Sequence, residues 1–325
     1  MINLMFSRTN PTDLLLFGIL LAFLATFISL KLFMDKLPRD GGRQYAINGS
    51  LSKGKPRGAG IVFIFIFAAI TLLFLPLNTE HLIYVILVVC AMISGYLDDR
   101  SSTPWGEYLK GFIDLVIAVS TVNAYYQFHG SQIVVQLLHG ITIQIPPLLF
   151  LLLATVLVWV SINVTNCSDG VDGLCGTLSL ATFVSFAIFY QRFLPGNTML
   201  GMIVILIACL LGYLWFNISP SRLMMGDAGS RAIGIFIAII ALNCNRPFVY
   251  LAFSLVLLLD GGLGLIKVSL LRFLHISILK NTLTPLHDHF RKKRSWSDPQ
   301  VVFRLTIIQV LLSFLYLSLT ILVTL

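Results

Sequence analysis

Long apolar runs, broken by short polar stretches, set the pattern of the chain. A helix that crosses a bilayer needs about 20 apolar residues, within a range of roughly 17–25. Ten runs meet or approach that length, at 12–34, 59–76, 81–97, 108–128, 146–163, 173–190, 198–216, 229–244, 248–273 and 300–324. The pattern predicts an all-α polytopic membrane protein with about ten transmembrane helices, and one bundle over residues 1–325 is its simplest organisation. The stretch near 131–145 has a different period. Ile133, Val135 and Leu137 alternate, His139-Gly140 follows, and Ile141, Ile143 and Ile145 alternate again. That spacing predicts a small periplasmic β-hairpin, with His129 and His139 structural or solvated. The first apolar run lacks a basic leader and a small-residue cleavage site, so no cleavable signal peptide is expected.

Composition supports the membrane class. The chain is 57% hydrophobic and 11% charged, against about 25% charged in a soluble domain. The placement of its charges then gives an orientation. Of 22 lysines and arginines, only Arg8, Arg192 and Arg246 fall on the side that holds both termini. The excess on the other side predicts that both termini lie outside and that the basic face is cytoplasmic. The acids divide in the same way, with only Asp13 and Glu80 on the outer side and Asp260 the deepest of the rest in its span. A face rich in both signs suits anionic substrates with a divalent metal better than a decorated loop does. Five cysteines (Cys90, Cys167, Cys175, Cys209, Cys244) lack metal-ligand spacing and read as small core residues. There is no Walker A or Rossmann glycine pattern, no Gly-x-Ser-x-Gly and no sign of a nucleic-acid partner.

Four polar clusters lie at span ends on the predicted cytoplasmic side. The densest is Asn163 to Gly176, where Asn166, Asp169, Asp172 and three glycines stand between two apolar spans. Asp169 and Asp172 would share a face if a helix began there. Carboxylates beside a membrane span are costly and usually functional. The second cluster is Asp98-Asp99-Arg100. Adjacent carboxylates repel unless a cation lies near, and Lys110 at the start of the next span could supply one. The third is Asn217 with Met225-Gly226-Asp227-Ala228-Gly229-Ser230, where Asp227 could cap the next helix and the helix start could bind phosphate. The fourth lies in a long loop from Lys267 to Ser297 and comprises His287, Asp288, His289 and the bases Arg291 to Arg294. Its histidines could bind phosphate or move protons, and its basic run could bind anionic headgroups. Together the clusters suit magnesium-assisted phosphoryl transfer at a membrane surface, with a lipid phosphate as one substrate.

At these residues the chain resembles the polyprenyl-phosphate N-acetylhexosamine-1-phosphate transferases. The likeness runs from about Lys53 to Arg304. It rests on Asp98-Asp99, on Asn-x-x-Asp-Gly-x-Asp-Gly at 166–173 and on Met-Gly-Asp-x-Gly-Ser at 225–230. Pro-Leu-His-x-His-Phe at 285–290 and the stretch Trp296 to Val302 with Arg304 resemble the branch that uses UDP-MurNAc-pentapeptide. The resemblance implies ten spans in the bacterial inner membrane, multi-pass, with the active site on the cytoplasmic side. It implies transfer of phospho-MurNAc-pentapeptide to undecaprenyl phosphate, giving lipid I and UMP for peptidoglycan synthesis, with a homodimer among membrane lipids. By the same likeness Asp227 is the Mg2+ ligand, and Asp98 and Asp99 are a catalytic pair, Asp98 being the favoured base. His289 joins the catalytic set, and Lys53, Lys110, Asn166, Asp169, Asp172, Asn217 and His287 the substrate-binding set.

The chain also departs from that pattern. Asp288 takes the place of a middle histidine, and Asp114 stands where glutamine is usual. The loop after Asp99 is shorter, with Arg100 and no lysine before Lys110. Lys55-Pro56-Arg57-Gly58-Ala59-Gly60 replaces Thr-Pro-Thr-Met-Gly-Gly. Two rival readings stay open: a sister enzyme that uses UDP-N-acetylglucosamine, and a transporter with ion-binding acids. Transporters place broken helices near the midplane, whereas these clusters sit at span ends.

Overall fold

The computed structural model describes residues 11–42, 52–101, 103, 105–136 and 140–324. His139 and the tip of the expected hairpin lie outside the described residues. Eleven α-helices are present among them: α1 (Pro11–Phe33), α2 (Gly60–Phe74), α3 (Thr79–Arg100), α4 (Glu107–His129), α5 (Pro147–Cys167), α6 (Leu174–Phe193), α7 (Thr198–Asn217), α8 (Gly226–Asn243), α9 (Pro247–Leu274), α10 (Leu286–Arg294) and α11 (Asp298–Thr324). Eight of these, α1, α3, α5 to α9 and α11, are long and apolar enough to cross a membrane. Helix α2 is apolar but has 15 residues, and α4 has the length but carries Glu107, Lys110 and Asp114 in its first half. Strands β1 (Gln132–Gln136) and β2 (Gly140–Gln144) pair antiparallel, with Ile133 opposite Ile143. That is the hairpin expected from the alternation. The long loop after Lys267 differs from expectation. Helix α9 continues to Leu274 and α10 forms within the stretch. Its apolar face is only Leu286 and Phe290, four residues apart, so the helix depends on where its His287 and Phe290 are packed.

Helix α8 is the axis of the bundle. Every residue from Gly226 to Leu242 is buried. It packs on α2, α3 and α5. Within a membrane, helices gain little from hydrophobic exclusion and associate through close packing of small residues. Two glycines show how close the approach is. A Cβ on Gly95 of α3 would strike the Asp227 carbonyl, and one on Gly60 of α2 would strike the Gly229 backbone. Gly234 of α8 lies against α5, where the Ser161 hydroxyl donates to its carbonyl at 2.7 Å. Phe63, Phe67, Phe183 and Phe236 fill the adjoining core. By contrast, α1, α5 and α11 expose Leu16, Phe17, Leu148, Leu152, Phe303 and Leu322, as lipid-facing helices would.

At one end of α8 a buried polar network ties three helices. Glu80 of α3 accepts from Tyr84 (2.9 Å) and from Asn243 of α8 (3.1 Å), and its Oε1 lies 2.6 Å from His129 Nε2 of α4. His129 stacks on Tyr125. Its place here bears out the structural reading of His129. The hairpin joins the same end, where the Val134 amide donates to the Asn245 carbonyl at 2.9 Å. The opposite end of α8 carries the candidate site.

Candidate active site

The N-terminus of α8 leaves backbone N–H groups without helical partners and carries partial positive charge. Asp99, on the last turn of α3, supplies the acceptors. Its Oδ1 accepts from the Asp227 amide and its Oδ2 from the Ala228 amide, each at 3.1 Å. Gly226 has φ +70°, and a Cβ there would collide with the Asp99 carboxylate. The expectation that Asp227 caps α8 is therefore corrected. The cap comes from another helix, and the Asp227 side chain faces cations instead.

Three cations surround Asp227. Arg57 Nη2 lies 3.1 Å from Oδ1, while Lys110 Nζ and Arg231 Nη2 each lie 3.4 Å from Oδ2. Each of them also holds a second carboxylate. Arg57 Nε is 2.7 Å from Asp99 Oδ1 and its Nη1 is 3.6 Å from Asp40. Lys110 contacts Asp98, whose other oxygen accepts from the Trp105 amide at 2.8 Å. Arg231 Nη1 is 3.0 Å from Asp114, with both side chains almost wholly buried. Burial opposes the charge of Arg57, but Asp99, Asp227 and Asp40 more than offset it, so its pKa lies above the ordinary arginine value. Asp98, Asp99, Asp227 and Lys110, named from the sequence, are thus brought together.

The Asp-Gly loop flanks this web. Helix α5 runs on to Cys167, so Asn166 sits on its last turn, while Asp169 and Asp172 lie in a turn rather than on a helix face. Asn166 donates to Ser230 of α8 at 2.9 Å. Asp172 Oδ2 lies 3.0 Å from Lys55 Nζ and accepts from the Ser221 amide at 3.1 Å. The Asn217 side chain bonds to backbone: it accepts from Gly173 N at 3.0 Å and donates to the Leu223 carbonyl at 2.9 Å. It therefore joins the Asp-Gly loop to the segment that leads into α8. Lys53 stands exposed in a turn beyond this cluster.

Helix α10 sets His287 against the Asp-Gly loop. A Cβ on Gly170 would strike the His287 ring. Asp260 of α9 fixes that ring, with Oδ2 2.8 Å from Nδ1, and its Oδ1 accepts from the His287 amide at 2.7 Å. His289 accepts from the Leu283 amide at 3.3 Å. Phe290 stacks on Trp296, which also carries Arg304 over its face at 4.3 Å. Arg291 turns back to Asp288 and Asp298, whereas Lys292, Lys293 and Arg294 are exposed.

Sequence reading assigned no site role to Lys55, Arg57, Arg231 or Ser230 and no partner to Asp114 or Asp260. One signal was present. Lys55-Pro56-Arg57 puts two cations at i and i+2 around a proline, and an extended backbone turns such residues to one face. Among the described residues no three His, Cys, Asp or Glu side chains converge as a ready metal-ligand set. Mg2+ commonly takes one or two carboxylates, water and substrate phosphates, and the hard oxygens of Asp227 and Asp98 fit that mode.

The family model for glycosyl transferase family 4 matches residues 81–245, the span from the Glu80 end of α3 to the end of α8. A phospho-N-acetylmuramoyl-pentapeptide-transferase of Treponema pallidum subsp. pallidum is 40% identical over 296 residues, covering 85% of this chain and 81% of that protein. Proteins of the same name from Kosmotoga olearia and Dictyoglomus turgidum are 29% and 26% identical, covering 81% and 92% of this chain and 82% and 96% of theirs.

Proposed function

This chain belongs to the phospho-N-acetylmuramoyl-pentapeptide transferases of glycosyl transferase family 4, and from that premise we propose how its site works. The protein is a membrane transferase that moves phospho-MurNAc-pentapeptide from its UDP donor to undecaprenyl phosphate, giving lipid I and UMP. A lipid phosphate oxygen attacks the phosphorus that bears the sugar. The new P–O bond forms as the bond to UMP breaks, and UMP carries off the electron pair. The observation that carries this reading is the end of α8, where Asp227 is presented beside the Asp98–Lys110 pair. Positioning and charge neutralisation do most of the work in phosphoryl transfer.

Asp98 takes the proton from the lipid phosphate when that phosphate arrives protonated, and Lys110 holds the resulting anion. Asp99 is committed to the α8 cap and serves to place its neighbours. Asn166, Asp169 and Asp172 line the nucleotide side, with Asn217 holding their loop. His287 and His289 face the donor, and the exposed Lys53 meets it at the rim. Asp227 would hold Mg2+, which when bound would neutralise charge developing on the diphosphate. The active site faces the cytoplasm, in the inner membrane, with both termini outside; the excess of bases at this end supports that orientation. The homodimer is carried by the resemblance.

The test is UMP release by purified protein given magnesium, undecaprenyl phosphate and either UDP-MurNAc-pentapeptide or UDP-N-acetylglucosamine. Release with the first donor alone is expected. Release only with the second would move the chain to the sister branch. Asp227→Asn should lower turnover by at least about a hundredfold, each tenfold being ~1.4 kcal/mol of barrier. A folded Asp227→Asn protein with full turnover would remove Asp227 from the mechanism.

A further inference from the structure

We propose that Arg57 is a transferable cation, which trades Asp227 for the donor's diphosphate when nucleotide and divalent cation bind together. The inference rests on the transferase reading and gives a role to a residue that the sequence shows only as a departure from the family pattern.

Both Asp227 oxygens are engaged, Oδ1 by Arg57 and Oδ2 by Lys110 and Arg231. A divalent cation beside Asp227 would meet three positive charges within 3.4 Å of that carboxylate, and the repulsion falls if one of them yields. Arg231 is 2% exposed at its side chain and is anchored by Asp114. Lys110 is 26% exposed, but it sits on a helix and is held by Asp98. Arg57 lies on a loop, and its side chain is 22% exposed. Its departure would also leave Asp99 satisfied, because that carboxylate keeps two backbone N–H donors. Arg57, alone of the three in being carried by a loop, is the cation that yields.

The backbone beneath it is held. Arg57 N donates to the Pro38 carbonyl and Met224 N to the Pro56 carbonyl, both at 2.8 Å, and Gly60 N donates to Met225 at 3.0 Å. Only the side chain has to swing. Lys55 is two residues earlier on the same stretch and reaches Asp172 and Ser221, each at 3.0 Å. Two residues of extended chain span at most about 7 Å. Lys55 and Arg57 thus flank a path from the Asp-Gly loop to Asp227 that a nucleoside diphosphate could follow. A guanidinium fork matches phosphate oxygens two at a time, so the diphosphate offers Arg57 a partner as good as the carboxylates it gives up.

The exchange makes cation and nucleotide binding cooperative, and thermodynamic coupling is reciprocal. The test titrates Mn2+ by electron paramagnetic resonance, with and without UDP, on full-length wild type, Arg57→Gln and Arg57→Lys in nanodiscs. Arg57→Gln should bind Mn2+ alone more tightly and UDP with Mn2+ more weakly, each by at least about fivefold, the lower end of typical coupling. Arg57→Lys keeps the charge without the fork and should fall between. If Mn2+ tightens while UDP is unchanged, Arg57 merely repels cations and the exchange is refuted. If neither affinity moves, or both weaken alike, Arg57 is a fixed tie. Thermal unfolding checks that each variant is folded, and Arg57→Lys carries the same two readings should Arg57→Gln not fold. Separately, a wild type that releases no UMP from UDP-MurNAc-pentapeptide would sink the transferase reading. The Mn2+ and UDP titrations would still decide the exchange.

Discussion

Arg231 and Asp114 form the most deeply buried arginine–carboxylate pair of the site, with side chains 2% and 3% exposed and 3.0 Å between Nη1 and Oδ1. Removing one partner of such a pair costs about 3–5 kcal/mol, because the other is left charged and unpaired in a low-dielectric interior. Replacing both by apolar or amide groups of similar volume is often close to neutral. Arg231→Met should therefore be destabilising by that amount, and Asp114→Asn added to it should recover most of the loss. A double-mutant cycle by thermal unfolding checks this. Additive losses would mean that the two side chains do not interact. This pair also shows what was legible at the scale of residues. Asp98, Asp99 and Asp227 stood out because their spacing carries a pattern. Arg57 showed only as part of a departure from the family pattern, and Arg231 not at all although it lies four residues from Asp227, because the other partners are far away in the chain: 170 positions separate Arg57 from Asp227 and 117 separate Asp114 from Arg231. No local period records such a pairing. Asp114 did stand out as a departure from the family pattern, but its partner did not.

Among the elements, the long apolar helices were legible nearly to their ends, since a span must be both long and apolar. Helix α10 was not, because a short polar helix has no such signature and depends on the docking of His287 against Asp260. Contacts between elements were also hidden. Gly95 reads as an ordinary residue in a span, yet it lets α3 approach α8 closely enough for Asp99 to cap that helix. Gly95→Ala should push α3 away, displace the cap and misplace Asp98 together with Asp99. The expected loss is about 1–3 kcal/mol of stability and at least about a hundredfold in turnover, since small misplacements are costly in catalysis. Gly111→Ala on α4 is the control. Its added Cβ would meet nothing nearer than Trp159 at 3.9 Å, and alanine favours a helix by up to about 1 kcal/mol. Unfolding midpoints and UMP release separate the two variants. A Gly95→Ala protein with normal turnover would show that the close approach does not position the site.

For the whole molecule, the two ends of α8 differ in kind. One end holds Glu80 in a hydrogen-bonded network with His129, Tyr84 and Asn243, beside the hairpin. The other gathers Asp98, Asp99, Asp114 and Asp227 with Arg57, Lys110 and Arg231. Charge asymmetry was legible in the chain because it depends only on which loops hold bases. Its physical effect is on insertion, where basic loops are retained in the cytoplasm and each base near an anionic leaflet is worth about 1 kcal/mol. The expected orientation follows directly: Lys292, exposed on α10, faces the cytoplasm, and Gln132, exposed on β1, faces outside. Single cysteines at these two positions test it in intact cells, with Cys90 changed to serine because it is the one exposed native thiol among the described residues. An impermeant maleimide should label the cysteine at 132 and spare the one at 292, which should react only after the cells are opened. Labelling at 292 from outside would invert the molecule and put the carboxylate cluster on the wrong side for a cytoplasmic UDP donor. The transferase chemistry at Asp227 would then lack its substrate whatever the geometry of the site.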